Sequence, residues 1–289
     1  MYPMKKILPL VLLSSLIAFC QRDSSAIEEL YTLPKQLKEI SGIIYTQSSQ
    51  LIWTLEDSGN ANEIYALDNQ GKLEKTITIS QTDNVDWEDI TKDSEENLYI
   101  GDFGNNANER KDLAIYKIAK DSLNNSSVMP SYKTSFAYPE QTDFPPKKTA
   151  LFYDVESFFE YQNNFYLFTK NRSKGFDGTT FLYKVPNKAG NYQAQLLGEF
   201  KADGDYQNAA ITSAAISPDG TKVVLLSHSQ IWVFENFQSD NFFEGKVNAI
   251  PLGHFSQKEA ICFKDSKTLL LADEKTKKIG GKVYEFHLN

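Results

Sequence analysis

The sequence predicts an all-β protein, and three observations carry the prediction. The composition favours strands, with 19 Phe, 15 Tyr and many Val, Ile and Thr. No apolar pattern of period 3.6 runs long enough to specify a helix. A strand–turn–strand unit recurs along the chain, and repeats of 20–50 residues mark arrays, solenoids and propellers. The fullest copy is Asp86–Trp87–Glu88–Asp89–Ile90, then Asn97–Leu98–Tyr99–Ile100 and an acidic loop, Gly101–Asp102–Phe103–Gly104–Asn105–Asn106. Aligned on Glu88, five copies start at Ser41, Glu88, Glu156, Ser213 and Glu259, separated by 47, 68, 57 and 46 residues.

Each copy continues alike. Second strands are expected at Leu51–Ile52–Trp53, Leu98–Tyr99–Ile100, Phe165–Tyr166–Leu167, Val223–Val224–Leu225 and Leu269–Leu270–Leu271. Third strands follow, from Ile64–Tyr65–Ala66–Leu67 in the first copy to Val283–Tyr284–Glu285–Phe286 in the last. A more polar outer strand comes next, as in the run from Leu73 to Ile79. Asn69–Gln70–Gly71 and Ser217–Pro218–Asp219–Gly220 supply the turns, with Gly at left-handed positions. Four-stranded units of this length are the signature of a β-propeller. The fifth copy has only three strands, and the segment Ala26–Leu33 has strand character without a partner. It can complete the last blade and remove an exposed edge. That closure favours five blades. The alternative is six, with a degenerate blade in the irregular 120–150 stretch, where Pro145–Pro146 excludes a central strand.

The first residues read as an address. Lys5 and Lys6 precede an apolar run from Ile7 to Phe19, too short to span a bilayer. Residues 1–19 are therefore expected to be a signal peptide, 20–25 a tether and 26–289 one propeller domain. Leu16–Ile17–Ala18–Phe19–Cys20 resembles a bacterial lipobox, which implies cleavage before Cys20, lipidation of Cys20 and a cell-envelope lipoprotein held to a membrane by its N-terminal lipid. Phe19 departs from the small residue usual at that place; the alternative is an ordinary signal peptide with a chance cysteine. The other cysteine, Cys262, lies in an apolar run and reads as a small buried hydrophobe. The net charge is −8, and −10 once Lys5 and Lys6 are removed. An acidic chain with no basic cluster argues against nucleic acid as partner. A monomer is expected.

Consecutive strands of a blade are antiparallel, so first-strand starts and second-strand ends share one rim. The first strands line the central channel. Asp86 with Glu88 and Asp154 with Glu156 are spaced by two, each pair on one side of a strand. Glu259 joins them, and the loops bring Asp57, Asp102, Asn105, Asn171, Arg172 and Glu274. Clustered carboxylates need a cation, hydrogen-bond donors or raised pKa values. Ca²⁺ suits them, as a hard ion taking several oxygens. The expected ligands are Glu88, Glu156, Glu259 and Asp102, with Asn105 or Asn171 adding carbonyl oxygens. The competing structural role is that these glutamates accept backbone N–H bonds from the next blade and hold the blades in register. His228 and His254 reach the same rim as candidate general bases; Arg110, Lys170 and Arg172 could hold an anionic group or pair with the acids. Trp87 and Phe103 are core residues or stacking platforms. The Gly-x-Ser-x-Gly elbow, His-Glu-x-x-His and phosphate-loop motifs are absent.

Asp86–Trp87–Glu88–Asp89–Ile90 and Gly101–Asp102–Phe103–Gly104–Asn105–Asn106, with Arg110, resemble a pattern in secreted bacterial β-propeller lipoproteins of unassigned activity, best over the first three blades. More distantly, a channel of acids resembles the calcium-dependent propeller hydrolases, the lactonases and phytase-like phosphatases, which usually have six blades. The expectation is a propeller that binds a small molecule or protein at an acidic rim, through Ca²⁺. The alternative is a calcium-dependent hydrolase of a lactone or phosphoester using the same rim.

Overall fold

Alternating apolar side chains and Gly-containing turns fold the chain into five antiparallel sheets in the computed structural model, which describes residues 27–277 and 279–288. Blade one is Ile40–Thr46, Leu51–Glu56, Glu63–Leu67 and Leu73–Ile79, from axis to edge. Blade two is Trp87–Lys92, Leu98–Asp102, Ala114–Ile118 and Tyr132–Ala137. Blade three is Asp154–Tyr161, Asn164–Lys170, Thr179–Pro186 and Gln195–Lys201. Blade four is Ser213–Ile216, Lys222–Leu226, Gln230–Glu235 and Lys246–Pro251. Blade five is Lys258–Phe263, Thr268–Asp273 and Lys282–His287, and its fourth strand is Glu28–Thr32. The inner strands touch in cyclic order, so the molecule is a five-bladed β-propeller.

The early strand closes the ring as expected. It pairs antiparallel with Lys282–His287, Glu28 opposite Glu285 and Thr32 opposite Lys282. The six-bladed alternative is excluded, because Tyr132–Ala137 in the irregular stretch is the outer strand of blade two. Two short strands stitch neighbouring blades. Ser127–Val128 lies parallel to the outer strand of blade one, and Gly190–Gln193 lies parallel to that of blade two. Both cover edges that would otherwise offer unpaired backbone groups. The signal segment, Cys20 and the tether lie outside the described residues. No described helix is long and apolar enough to cross a membrane.

Five apolar clusters fill the five interfaces between blades. Trp87 and Phe103 are fully buried in two of them, so neither is a stacking platform. Cys262 is 1% exposed between blades five and one, the small buried hydrophobe expected. Buried polar groups tie the inner strands together. Ser41 Oγ donates to Trp87 O at 3.0 Å, and Ser213 Oγ accepts from Ile261 N at 3.1 Å. Asp89, 2% exposed, accepts from Ile90 N at 2.8 Å and from Phe158 N of blade three at 3.1 Å. Burial pushes its carboxyl well above the usual range. The register role considered for the glutamates therefore falls to Asp89 and to serines.

One irregularity recurs. The pairing of inner and second strands slips by one residue at Ser41, Glu88, Glu156 and Glu259, in blades one, two, three and five. Blade four runs through Ser213 without a slip. A bulge re-aims its extra residue and tightens the local twist. Here it falls at the aligned position of the repeat.

The axial channel has unlike ends. A cavity of about 130 Å³ lies at the starts of the inner strands, and a wider one of about 1080 Å³ lies at their far ends.

Replacing Asp89 by Ala strips two buried N–H groups of their acceptor and should cost roughly 2–4 kcal/mol. Asp89→Asn keeps an acceptor and should cost less. Urea midpoints measure both; an Asp89→Ala change inside about 0.5 kcal/mol would show that the bridge contributes nothing.

Candidate functional site

The smaller cavity is built from the repeat. Bulged positions of four blades supply Ser41, Glu88, Glu156 and Glu259 to its wall, and second-strand ends and loops supply Asp57, Lys170, Arg172 and Glu274. Carboxylate oxygens of Asp57, Asp86 and Glu88 lie within 4.8 Å of one another, and so do those of Glu88, Asp154 and Glu156. Glu88 belongs to both groups.

The second group carries its own counter-charges. Lys170, buried at the end of its strand, sits 3.0 Å from Glu156 and 3.9 Å from Glu259. Arg172 binds Asp154 through Nε at 2.5 Å, reaches Glu156 through a second nitrogen, and donates to Tyr206 Oη at 2.7 Å. Asp154 also accepts from Asn105 N at 2.6 Å. Burial alone would raise Glu156, but Lys170 and Arg172 outweigh it and hold the carboxyl well below the usual range. Its neighbour Asp154 is pushed up, by burial and then by Glu156, against the pull of Arg172.

The first group has no such partners. Glu88 is 5% exposed and accepts no hydrogen bond from the protein, among the described residues. Burial, followed by the charges of Glu156, Asp57, Asp154 and Asp86, drives its pKa well above the usual value. Burial raises Asp57 to about 6, opposed by the Ser58 N–H and reinforced by Asp86 and Glu156. Asp86 is raised by burial as well, with Ser58 and Arg110 opposing. Glu274, on the blade-five side, reaches about 8 through burial, Glu259 and Asp57. Gly104 makes the space: a methyl there would overlap Glu88 Oε1 and the Asp86 carboxylate.

Not every residue expected to act together here does so. Glu259 is set apart from Glu88 and Glu156 because Lys170 stands between, and its carboxylate meets His228 Nε2 at 3.1 Å. The expected trio Glu88, Glu156 and Glu259 is thus not one coordination sphere. Asp102 turns away to Arg110, at 2.9 Å, and to Asp86 N, at 3.2 Å. Arg110 also holds Gly104 O at 2.9 Å and Asp112, so it braces the loop instead of facing a ligand. Asn105 accepts from Arg110 N and donates to Tyr153 O; Asn171 donates to Asp177 and accepts from Ser173 N. Neither amide is free to coordinate. His254 Nδ1 lies 3.0 Å from Lys258 Nζ, outside the cavity wall. His228 Nδ1 is enclosed without a partner and Nε2 faces Glu259; neither histidine lines the cavity.

Sequence reasoning missed Gly104 as a spacer, Tyr206 as a support for Arg172, and Lys258. The last is fully buried, with burial lowering it to about 8, and it donates to His228 O, His254 O and Ser256 Oγ. Its signal in the sequence was a lysine directly before the aligned Glu259, at the start of an inner strand.

An ion held by Asp57, Asp86 and Glu88 is compatible with this geometry. Oxygens around one Ca²⁺ at about 2.3–2.6 Å can be at most about 5 Å apart. The donor set is all oxygen, and Gly104 leaves the cradle unfilled.

No protein-family model matches the chain, and no curated protein matches it. Among solved structures it is similar to a virginiamycin B lyase from Staphylococcus aureus, at 15% identity over 86% of this chain, with a TM-score of 0.42. The chain spans 66% of that lyase's length. A gluconolactonase from Xanthomonas campestris matches at 9% identity, over 86% of this chain and 72% of that one, with a TM-score of 0.47. The β-propeller domain of Cps50 (Swd1) from Myceliophteria thermophila matches at 8% identity, over 91% of this chain and all of that one, with a TM-score of 0.46. These are likenesses of fold, and none transfers an activity.

The raised carboxyls set a pH dependence. Asp57, Asp86, Glu88 and Glu274 bind protons more tightly folded than unfolded. In metal-free buffer, stability should therefore fall as pH rises from the ordinary carboxylate range, near 4, to about 8. Glu156 acts oppositely: its contribution is present above its ordinary value and is lost in stronger acid. Urea melts at pH 5 and pH 8 with chelator present measure the first effect; equal midpoints would remove the strain assigned to the first group. Arg172→Ala, leaving two buried carboxylates short of a partner, should cost about 3 kcal/mol at pH 7.

Proposed function

We propose that the acidic mouth binds a divalent, oxygen-seeking cation, with Ca²⁺ the best fit, and uses it to hold a ligand or partner at the rim of an exported cell-envelope lipoprotein. The observation that carries this reading is Glu88, a buried carboxylate that faces four other acids and accepts no protein hydrogen bond. Burial and the surrounding acids favour a proton or a cation on such a group. Asp57 and Asp86 complete a three-carboxylate cradle beside it, while Lys170 and Arg172 already serve the neighbouring pair.

Bound cation would supply positive charge at the mouth. A ligand's hydroxyl, carboxylate or phosphate oxygen could then approach a wall that is otherwise anionic. Lys170 and Arg172 keep Glu156 and Asp154 from competing for a second ion. Gly104 keeps the cradle open. The hydrolytic alternative named His228 or His254 as base; His228 Nε2 is engaged by Glu259, and neither histidine lines the cavity. Membrane attachment through Cys20 rests on the lipobox resemblance.

Titration calorimetry should detect Ca²⁺ binding to the wild-type domain and none to Glu88→Gln. Near 100 times the dissociation constant, Ca²⁺ should stabilise the fold by about 2.7 kcal/mol, read as a rise in melting temperature that chelator reverses. Glu88→Gln should by itself stabilise the metal-free protein at pH 8, having removed a strained carboxyl. Identical melting curves with Ca²⁺ and with chelator would end the metal reading. For localisation, Cys20→Ser should move the protein from the membrane fraction to the soluble one.

A further inference from the structure

The chain enters the ring at the end opposite the acidic mouth. Glu28–Thr32 runs antiparallel to Lys282–His287, with Thr32 opposite Lys282. Lys282 lies opposite Asp273, and Asp273 opposite Lys258 at the start of the inner strand, so Thr32 is at the acidic end. Leu33 N continues there, donating to Gly281 O at 2.8 Å. Glu28 lies opposite Glu285, and Ile27 packs against the cluster that holds Phe263, Phe286 and Leu288. The chain thus comes into the domain from the wide-cavity side, at the outer edge of blade five. Six residues, 21–26, separate Cys20 from Ile27. Their seven Cα steps, at no more than about 3.6 Å each, reach about 25 Å when drawn straight. From Ile27 to Leu33 the strand climbs about 20 Å at roughly 3.3 Å per residue, and the loops of the acidic end lie beyond it. Bringing the acidic mouth to a bilayer that holds Cys20 therefore requires the domain to invert and the tether to give up nearly all its conformational freedom. With the mouth outward the tether stays slack.

Charge does not choose between the two ends. The wide mouth is lined by five carboxylates and three lysines, the acidic mouth by five carboxylates, Lys170 and Arg172, so an anionic bilayer attracts neither. Apolar exposure does differ. Val85, Phe255 and Ile279, among the large apolar side chains most exposed at 48%, 51% and 58%, all stand in loops of the acidic end. Val85 precedes Asp86 of the cradle. The Phe255 ring packs edge-on to His228, centroids 5.8 Å apart. Ile279 closes a turn with Thr276 in the loop that follows Glu274. The mouth itself, at about 130 Å³, is well below the roughly 300 Å³ where small-molecule sites begin. It has room for an ion and one donor group, and the rest of a ligand must lie on this rim. A cation ringed by apolar side chains suits two occupants: the phosphates and interface of a membrane, or a partner that arrives through water.

We infer that the acidic mouth faces away from the anchoring bilayer and takes its partner from the aqueous compartment, one that gives the ion an oxygen and lays apolar groups around it on Val85, Phe255 and Ile279. The inference rests on the lipoprotein and cation readings of the chain. What decides between the occupants is the entry point of Glu28–Thr32, which puts the lipid and the mouth at opposite ends of blade five. Lipid phosphates of the same membrane are then the group the mouth is least able to reach. Apolar rim residues gain instead from being covered by the partner.

The test uses the full-length lipidated protein in vesicles of phosphatidylethanolamine and phosphatidylglycerol that carry a nitroxide on the lipid headgroup. Cys262 is buried and Cys20 acylated, so a single added cysteine takes the fluorophore. Lys267→Cys reports the wide end and Lys174→Cys the acidic end; both positions are exposed and neither lines the acidic cavity. The label at 267 should lose fluorescence to the nitroxide and the label at 174 should keep it, in Ca²⁺ and in chelator alike. The unlipidated Cys20→Ser protein should not sediment with the same vesicles in Ca²⁺. Quenching at 174 equal to or above that at 267, or Ca²⁺-dependent sedimentation of Cys20→Ser, overturns the inference while the lipoprotein and cation readings stand. Wild-type protein that carries no acyl chain and does not float with membranes ends the lipoprotein reading, and the inference falls with it.

Discussion

The arrangement at the acidic mouth depends on a single-residue slip in strand pairing, repeated in four of five blades. Regular alternation would send each residue at the aligned position toward a neighbouring blade or its opposite. The bulge removes that residue from the alternation and presents it to the axis. Three of the four presented residues are glutamates, Glu88, Glu156 and Glu259, and the fourth is Ser41. Next along the strand, Asp89 is returned to the interior, where it can cap a neighbouring blade's N–H. One backbone device thus divides adjacent acids between two tasks.

The charges gathered there are handled unevenly. Asp154 and Glu156 are matched by Arg172 and Lys170, whose multiple bonds keep the buried pair ionised at one position and strained at the other. A few ångströms away, Glu88 has only other carboxylates for company. Low dielectric magnifies both situations, since it strengthens a satisfied pair and penalises an unsatisfied group. The site is therefore an electrostatic gradient across one narrow opening, stable on the blade-three side and under-neutralised between blades one and two.

The ring was legible in the sequence because strand period and turn chemistry are local. The run Leu73 to Ile79 emerged with the same bounds, and Ala26–Leu33 could be assigned to the last blade from a missing-strand argument alone. The acids of the mouth were legible through repeat alignment, which needs no coordinates. What the sequence concealed was direction. Asp102, Asn105, Asn171 and Arg110 sit in the right loops, yet their side chains are consumed by loop-internal bonds that follow from turn geometry. Lys170 separates Glu259 from the other glutamates, a consequence of where a strand end falls in three dimensions. The wide cavity was invisible because its floor is made of residues indistinguishable from core, and only ring closure leaves a gap between them.

The closing strand has a consequence for synthesis. Glu29 meets Lys282 across 253 positions of sequence, and that contact cannot form until the last blade exists. The segment made first is used last, so four blades must assemble while the fifth lacks its outer strand and the earliest segment waits unpaired. Long-range pairing of this kind slows folding through the entropy of closing a long loop. It also leaves the last blade to the end of the chain: a chain arrested short of residue 282 has only two strands in blade five, and Glu28–Thr32 has no strand to pair with.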